Sequence, residues 1–196
     1  MTTIARPTSA SVANIPRESI PKEILRTEIP IVKTTHELAQ LPMERKEAMM
    51  DGMKFTRYKH GGAFCAATAN VEGLFIGPKV VVLGGAEIGS FAVVYVDYAV
   101  IGERVKIAEG ATVGASSVGS DTTIGMNVEI RTGTNIGSHV NIGDRTIIYP
   151  GVTIEDHVIV GPESIIGTKT VILEGSTMGP KRVIGDESVV AKRHGP

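Results

Sequence analysis

The sequence has no tryptophan, four phenylalanines, four tyrosines and a single cysteine. A core so short of rings must be built from aliphatic side chains in thin, regular layers. One thiol, Cys65, excludes an internal disulfide and a cysteine-rich zinc site. Nothing in cysteine usage therefore calls for an oxidising compartment, and a cytoplasmic location is expected. Cys65 lies within Ala63-Phe64-Cys65-Ala66-Ala67, an apolar setting that predicts a buried, inert thiol. No apolar run of about 18 residues occurs, so neither a transmembrane helix nor a membrane partner is expected. Twenty basic residues against 21 acidic ones leave a net charge of −1, which gives no global attraction to a polyanion. The basic residues are scattered and few rings could stack on bases, so no nucleic-acid partner is expected. Gly114-Ala115-Ser116 is no nucleophile elbow, and no glycine-rich phosphate loop sits between a strand and a helix.

What is present is unevenly distributed. Residues 1–70 hold 3 of the 23 glycines and carry a net charge of +3; residues 71–196 hold 20 and carry −4. Pro7, Pro16, Pro21 and Pro30 exclude long regular helix from residues 1–33, which read as an extended or disordered arm able to order on a protein partner. The stretch from Met1 to Arg17 contains Arg6 and Arg17 and no acid, so an organellar transit peptide is its alternative reading. Residues 34–70 read as a short helical and connecting segment. Thr34 and Glu37 have capping-box spacing, Pro42 opens a second helical stretch, Asp51-Gly52 closes it, and Lys54–Lys59 form a short strand or connection.

From Val71 the chain counts in sixes. Every sixth residue from Val118 to Val190 is aliphatic or methionine. Upstream, Ile76, Val82, Ile88 and Val94 keep the step; one extra residue precedes Ile101, and one is missing between Val113 and Val118. Glycine often follows the aliphatic residue, which suits a sharp turn, and a small or β-branched residue stands four places after it. Neither a helical period nor strict alternation fits six. Three such units make an 18-residue triangular coil whose aliphatics point inward, and within the repeat domain of residues 71–196 the stretch from Val71 to Val190 is expected to stack about six and a half of them at the ~4.8 Å strand spacing.

Residues 18 apart then share a lateral position. One outward corner column holds Asp121, His139 and His157, where a carboxylate beneath an imidazole would orient a general base; two stacked imidazoles would alternatively begin a metal site. The plainer alternative for this column is a row of solvated corner residues. A second column, Glu129, Ile147, Ile165 and Val183 with Tyr149 close by, predicts an exposed aliphatic stripe suited to self-association or to the N-terminal helix; Ile159, Val171 and Val189 point outward on the other faces. Arg182 falls in an inward small-residue slot and Ala191-Lys192-Arg193-His194 follows, which reads as a charged cap; Lys181, Lys192 and Arg193 are the alternative as an anion site.

Units such as Ile142-Gly143-Asp144-Arg145-Thr146-Ile147 resemble the hexapeptide-repeat family, whose fold is an all-β solenoid, the left-handed parallel β-helix. The resemblance runs from Val71 to Val190, more than half of the chain. It implies a homo-oligomer, commonly a trimer, and in many members transfer of an acyl group from a coenzyme A thioester or acyl carrier protein to a small acceptor. A single histidine usually serves as base there, which implies His139 here, with Asp121 as orienter and His157 as runner-up; no cofactor-binding residues follow from it. Glu187-Ser188-Val189-Val190-Ala191-Lys192 resembles the closing coil of the family's acetyltransferases. The Asn-Pro-Ala segment, the C-terminal helix and the long acceptor loop of such enzymes are missing, which keeps a non-catalytic scaffold or assembly subunit as the alternative. A γ-carbonic-anhydrase-like metal protein is the second alternative, with His60, His139 and His157 as its available imidazoles.

Overall fold

The computed structural model describes residues 29–96 and 98–192. Residues 1–28 of the expected arm, and Arg193 and His194 of the expected cap, lie outside the described residues. Two- and three-residue strands succeed one another every sixth residue and build three parallel sheets. We call them A, B and C in the order the chain visits them. B and C have seven strands each, and A has 11. The registers repeat the sequence period: Ile124 stands on Ile142 and Ile142 on Val160 in B, while Ile130, Ile148 and Ile166 stack in C. These inward aliphatics are almost wholly removed from solvent and form one continuous core.

The inward corner hydroxyls are satisfied coil to coil. Thr122, Thr146 and Thr170 donate to the carbonyls of Gly137, Gly161 and Gly185 in the next coil at 2.9, 3.3 and 2.9 Å. Among the described residues no buried side-chain polar atom lacks a partner, as a packed interior demands.

The turns divide two requirements between two positions. The glycines that follow the inward aliphatics are not left-handed. They are required because the next coil passes close by: a Cβ at Gly143 would sit 2.5 Å from the nitrogen of Pro162, and one at Gly161 2.5 Å from the carbonyl carbon of Gly179. The left-handed backbone falls two residues later, mostly on larger side chains, including Asp121, Asn127, His139, Arg145, His157, Glu163 and Lys169, with φ between 54° and 59°. That conformation costs an L-residue roughly 1–2 kcal/mol and is imposed here at successive corners by the stack.

Sheet A is extended at its N-terminal end by β1 (Ile31–Val32), β2 (Glu47–Met50), β3 (Met53–Arg57) and β4 (Phe64–Ala66) in spatial order. The expected helix start is present: α1 (Thr35–Ala39) is capped by Thr34, whose Oγ1 accepts the Glu37 N–H at 3.1 Å, while the Glu37 carboxylate accepts the Lys33 N–H at 2.8 Å. The second helical stretch is not formed. Asp51-Gly52, read as its end, is the two-residue loop of a β2–β3 hairpin, with φ of 49° and 75° as a type I′ turn requires. Ala48 and Met50 alternate inward on β2 and meet Phe55, Leu38 and Val81 in a second small core, so α1 packs on the outer face of sheet A. The expected strand near Lys54 is β3.

Arg57 closes this cap. Its guanidinium donates to the carbonyls of Leu41, Pro42, Arg45, Gly62 and Pro78 and lies 4.0 Å over the Phe64 ring. One side chain thus ties the loops entering β2 and β4 to the first full coil.

Candidate functional site

The corner between sheets A and B carries, coil after coil, Gly85, Arg104, Asp121, His139, His157 and Gly175, each with positive φ. Left-handed backbone turns these side chains away from the core. Their stacking follows from the ladder: Thr123 pairs with Asn141 and Asn141 with Ile159, each two residues beyond its corner.

The two imidazoles face one another. Their centroids are 4.9 Å apart and their planes differ by 15°. Both side chains are exposed. On the far side His157 Nδ1 lies 3.5 Å from the Glu174 carboxylate. On the near side Asp121 is held by Arg104, whose Nε and Nη2 donate to its two oxygens at 2.7 Å each. That bond holds the Asp121 carboxyl below the usual carboxylate range, and the His139 charge adds to the effect. So the structure brings Asp121, His139 and His157 into one column. Asp121 accepts its hydrogen bonds from Arg104 and reaches His139 through its field. Arg104 was not anticipated: it falls one place short of a full coil before Asp121, and only the deletion after Val113 brings the two into register.

The other sequence candidates lie elsewhere. His60 is at the N-terminal end, edge-on to Tyr58, with its carbonyl accepting the Ile76 N–H. Among the described residues no three His, Cys, Asp or Glu side chains converge to hold a metal ion. Lys181 pairs with Glu163 at 3.7 Å, and Arg182 is exposed on the last coil beside Lys192. Cys65 is buried, and burial pushes its thiol up to about 12.

Sheet C presents the aliphatic stripe. Ile165 and Val183 are exposed and Ile147 is half-buried; Leu74, Phe75, Phe91 and Tyr95 form a separate apolar group nearer the N-terminal end, with Thr112 and Glu129 between the two. Arg131 lies within the stripe, bonded to Glu129 at 2.8 Å and 4.3 Å over the Tyr149 ring. In a triangular section sheet C is the side opposite the A–B corner, so stripe and imidazoles occupy opposite flanks.

Residues 133–168, which include both imidazoles, match the family model described as "Bacterial transferase hexapeptide (six repeats)". No curated protein sequence matches the chain. Similar solved structures include a UDP-N-acetylglucosamine acyltransferase of Francisella novicida, at 23% identity and a TM-score of 0.35 over 64% of this chain. A perosamine N-acetyltransferase of Caulobacter crescentus, bound to CoA and GDP-perosamine, is 20% identical with a TM-score of 0.33 over 62%. A UDP-N-acetylglucosamine O-acyltransferase from Moraxella catarrhalis is 18% identical with a TM-score of 0.31 over 65%. The matched regions span 63%, 54% and 65% of those three chains. The chain is thus a parallel β-solenoid counted in sixes, and its residues 133–168 match the hexapeptide transferase model.

Proposed function

We propose that the chain is an acyltransferase-like hexapeptide-repeat protein, moving an acyl group from a coenzyme A or carrier-protein thioester to a small hydroxyl or amine acceptor, with His139 as general base. The observation that carries this reading is the stacked His139–His157 pair inside the segment that matches the transferase hexapeptide model. The acceptor heteroatom gives its proton to an imidazole nitrogen as it attacks the thioester carbonyl. The tetrahedral intermediate then collapses, and the imidazolium returns the proton to the departing thiolate. His157 fixes the plane of the His139 ring by stacking, and the Arg104–Asp121 pair sets the field beneath it.

A base on an open corner needs a second wall to hold substrate and exclude water. Self-association supplies it. Because sheet C lies opposite the A–B corner, a contact of sheet C with sheet C leaves the imidazoles in solvent. A heterologous contact, stripe of one copy against corner of the next, covers them and closes into a ring when the rotation is one-third of a turn. A trimer follows from this reading.

The test is thioester turnover with acetyl-coenzyme A against a panel of amine and hydroxyl acceptors, read as released thiol. His139→Ala should reduce the rate ~10²–10⁴-fold, the usual contribution of a general base. A loss of less than about tenfold removes His139 from the role. Absence of turnover on any acceptor favours the scaffold reading, whose own support is that neither imidazole lines any of the described cavities.

A further inference from the structure

The two slips in the six-residue count fall at the same place. The extra residue lies between Val94 and Ile101, the missing one between Val113 and Val118, and both intervals run from sheet C into sheet A. A lengthened corner therefore stacks on a shortened one. The result is a notch on the C–A edge, lined by Phe75, Pro78, Tyr95, Tyr98, Ser116 and Thr132. Phe75 and Tyr95 remain 42% and 38% exposed at its rim, although the chain has only four Phe and four Tyr.

The path of the chain leads to this notch. β1 runs parallel to β2, β2 and β4 are both antiparallel to β3, and β4 is parallel to Val80–Val82. Ile29-Pro30 therefore enters β1 from the C–A side, the edge that bears the notch. The Val80–Val82 strand, preceded by Pro78, is four strand steps from β1 in sheet A, roughly 19 Å at the inter-strand spacing. The preceding segment holds an echo, Ile15-Pro16-Arg17-Glu18 and Ile20-Pro21-Lys22-Glu23, offset by five residues. Extended chain can span ~3.1–3.4 Å per residue, so the eight steps from Pro21 to Ile29 can reach roughly 25 Å and five steps roughly 15 Å. The notch runs from the coil of Pro78 to that of Thr132, three rises or roughly 14 Å.

We propose that residues 15–28 of the same chain dock in this notch as an extended strap, with Ile20-Pro21 against Phe75, Pro78, Tyr95 and Tyr98 and Ile15-Pro16 beside Thr132. An aromatic-lined groove is the surface that suits extended proline-containing chain, since the ring faces take the pyrrolidine edges and little conformational freedom is lost. The proposal stands independently of the catalytic reading.

The experiment pairs Ile15→Cys with Thr132→Cys in the full chain under mild oxidation. The buried Cys65 does not compete. A matched control pairs Ile15→Cys with Thr123→Cys on the exposed face of sheet B. The expected result is an intrachain disulfide in most of the test pair and none in the control, read on a non-reducing gel and by peptide mass. Adding Phe75→Ser with Tyr95→Ser, both surface positions, should lower the yield at least fivefold. Chain-to-chain product as the main species places the segment on a second copy and overturns the proposal, and so does a yield equal to the control.

Discussion

Gly143 and Gly179 occupy the same corner column two coils apart, and replacing each by alanine separates local conformation from stacking. At Gly143 the new Cβ would stand 2.5 Å from the Pro162 nitrogen and 2.8 Å from its Cα. Ordinary contact begins at 3.4 Å, so the coils must part by about 0.9 Å there. That separation stretches the bonds that seat this corner, Gly143 N–H to Val160 and Glu163 N–H to Asp144, each 2.8 Å, to about 3.7 Å, beyond useful geometry. Two weakened bonds at ~1 kcal/mol each, with ~1–3 kcal/mol for overpacking, give a destabilisation of about 3–5 kcal/mol. At Gly179, in the last coil, nothing lies within 4 Å and φ is not left-handed, so alanine should be neutral or stabilise by up to ~1 kcal/mol through the unfolded chain. Urea unfolding followed by circular dichroism measures both. Equal midpoints for the two variants would refute the argument that the glycines are there for the neighbouring coil.

Further predictions follow from single residues. Arg57→Ala should leave five carbonyls without their shared donor and release the β1–β3 cap; hydrogen exchange should rise across residues 31–57 while residues 118–178 keep their protection. His139→Gly should reduce transfer ~10²–10⁴-fold yet leave stability unchanged or raised by up to ~1 kcal/mol, because φ is 57° there and Gly85 and Gly175 hold the same column. A thermal midpoint lowered by more than a few degrees would show that the imidazole serves the fold. With its thiol at about 12 instead of 9.0, Cys65 should be about a thousandfold less ionised at pH 8. Iodoacetamide labelling of the native chain should be correspondingly slow and become rapid in denaturant.

Much of the fold is legible because one period is repeated over and over. The inward stack from Val118 to Val190, the outward stripe at Ile147, Ile165 and Val183, and the corner column of Asp121, His139 and His157 all come from counting in sixes and eighteens. The capping box at Thr34 is legible because two side chains meet two backbone donors locally. The misreadings arise where a local motif has two outcomes. Asp-Gly serves a helix end or a hairpin, and the Ala48–Met50 alternation against Phe55 decides for the hairpin. The glycine after an inward aliphatic is legible as a turn residue, but not that it also makes room for the neighbouring coil, as at Gly143 and Gly161. Arg57 was hidden for a different reason: its partners are five backbone carbonyls, which leave no side-chain signature. The notch and the Arg104–Asp121 pair both depend on the phase of the two slips, visible only when the coils are laid over one another.

An acyl-transfer site at the imidazole corner, walled by a second copy, is the function proposed for this chain. Native mass spectrometry of the full chain, with and without coenzyme A, tests it most directly. The expected result is a trimer that retains about one coenzyme A per subunit interface and loses it when Ile165→Arg breaks the stripe. A monomer, or a trimer that retains no coenzyme A at any concentration, would contradict it.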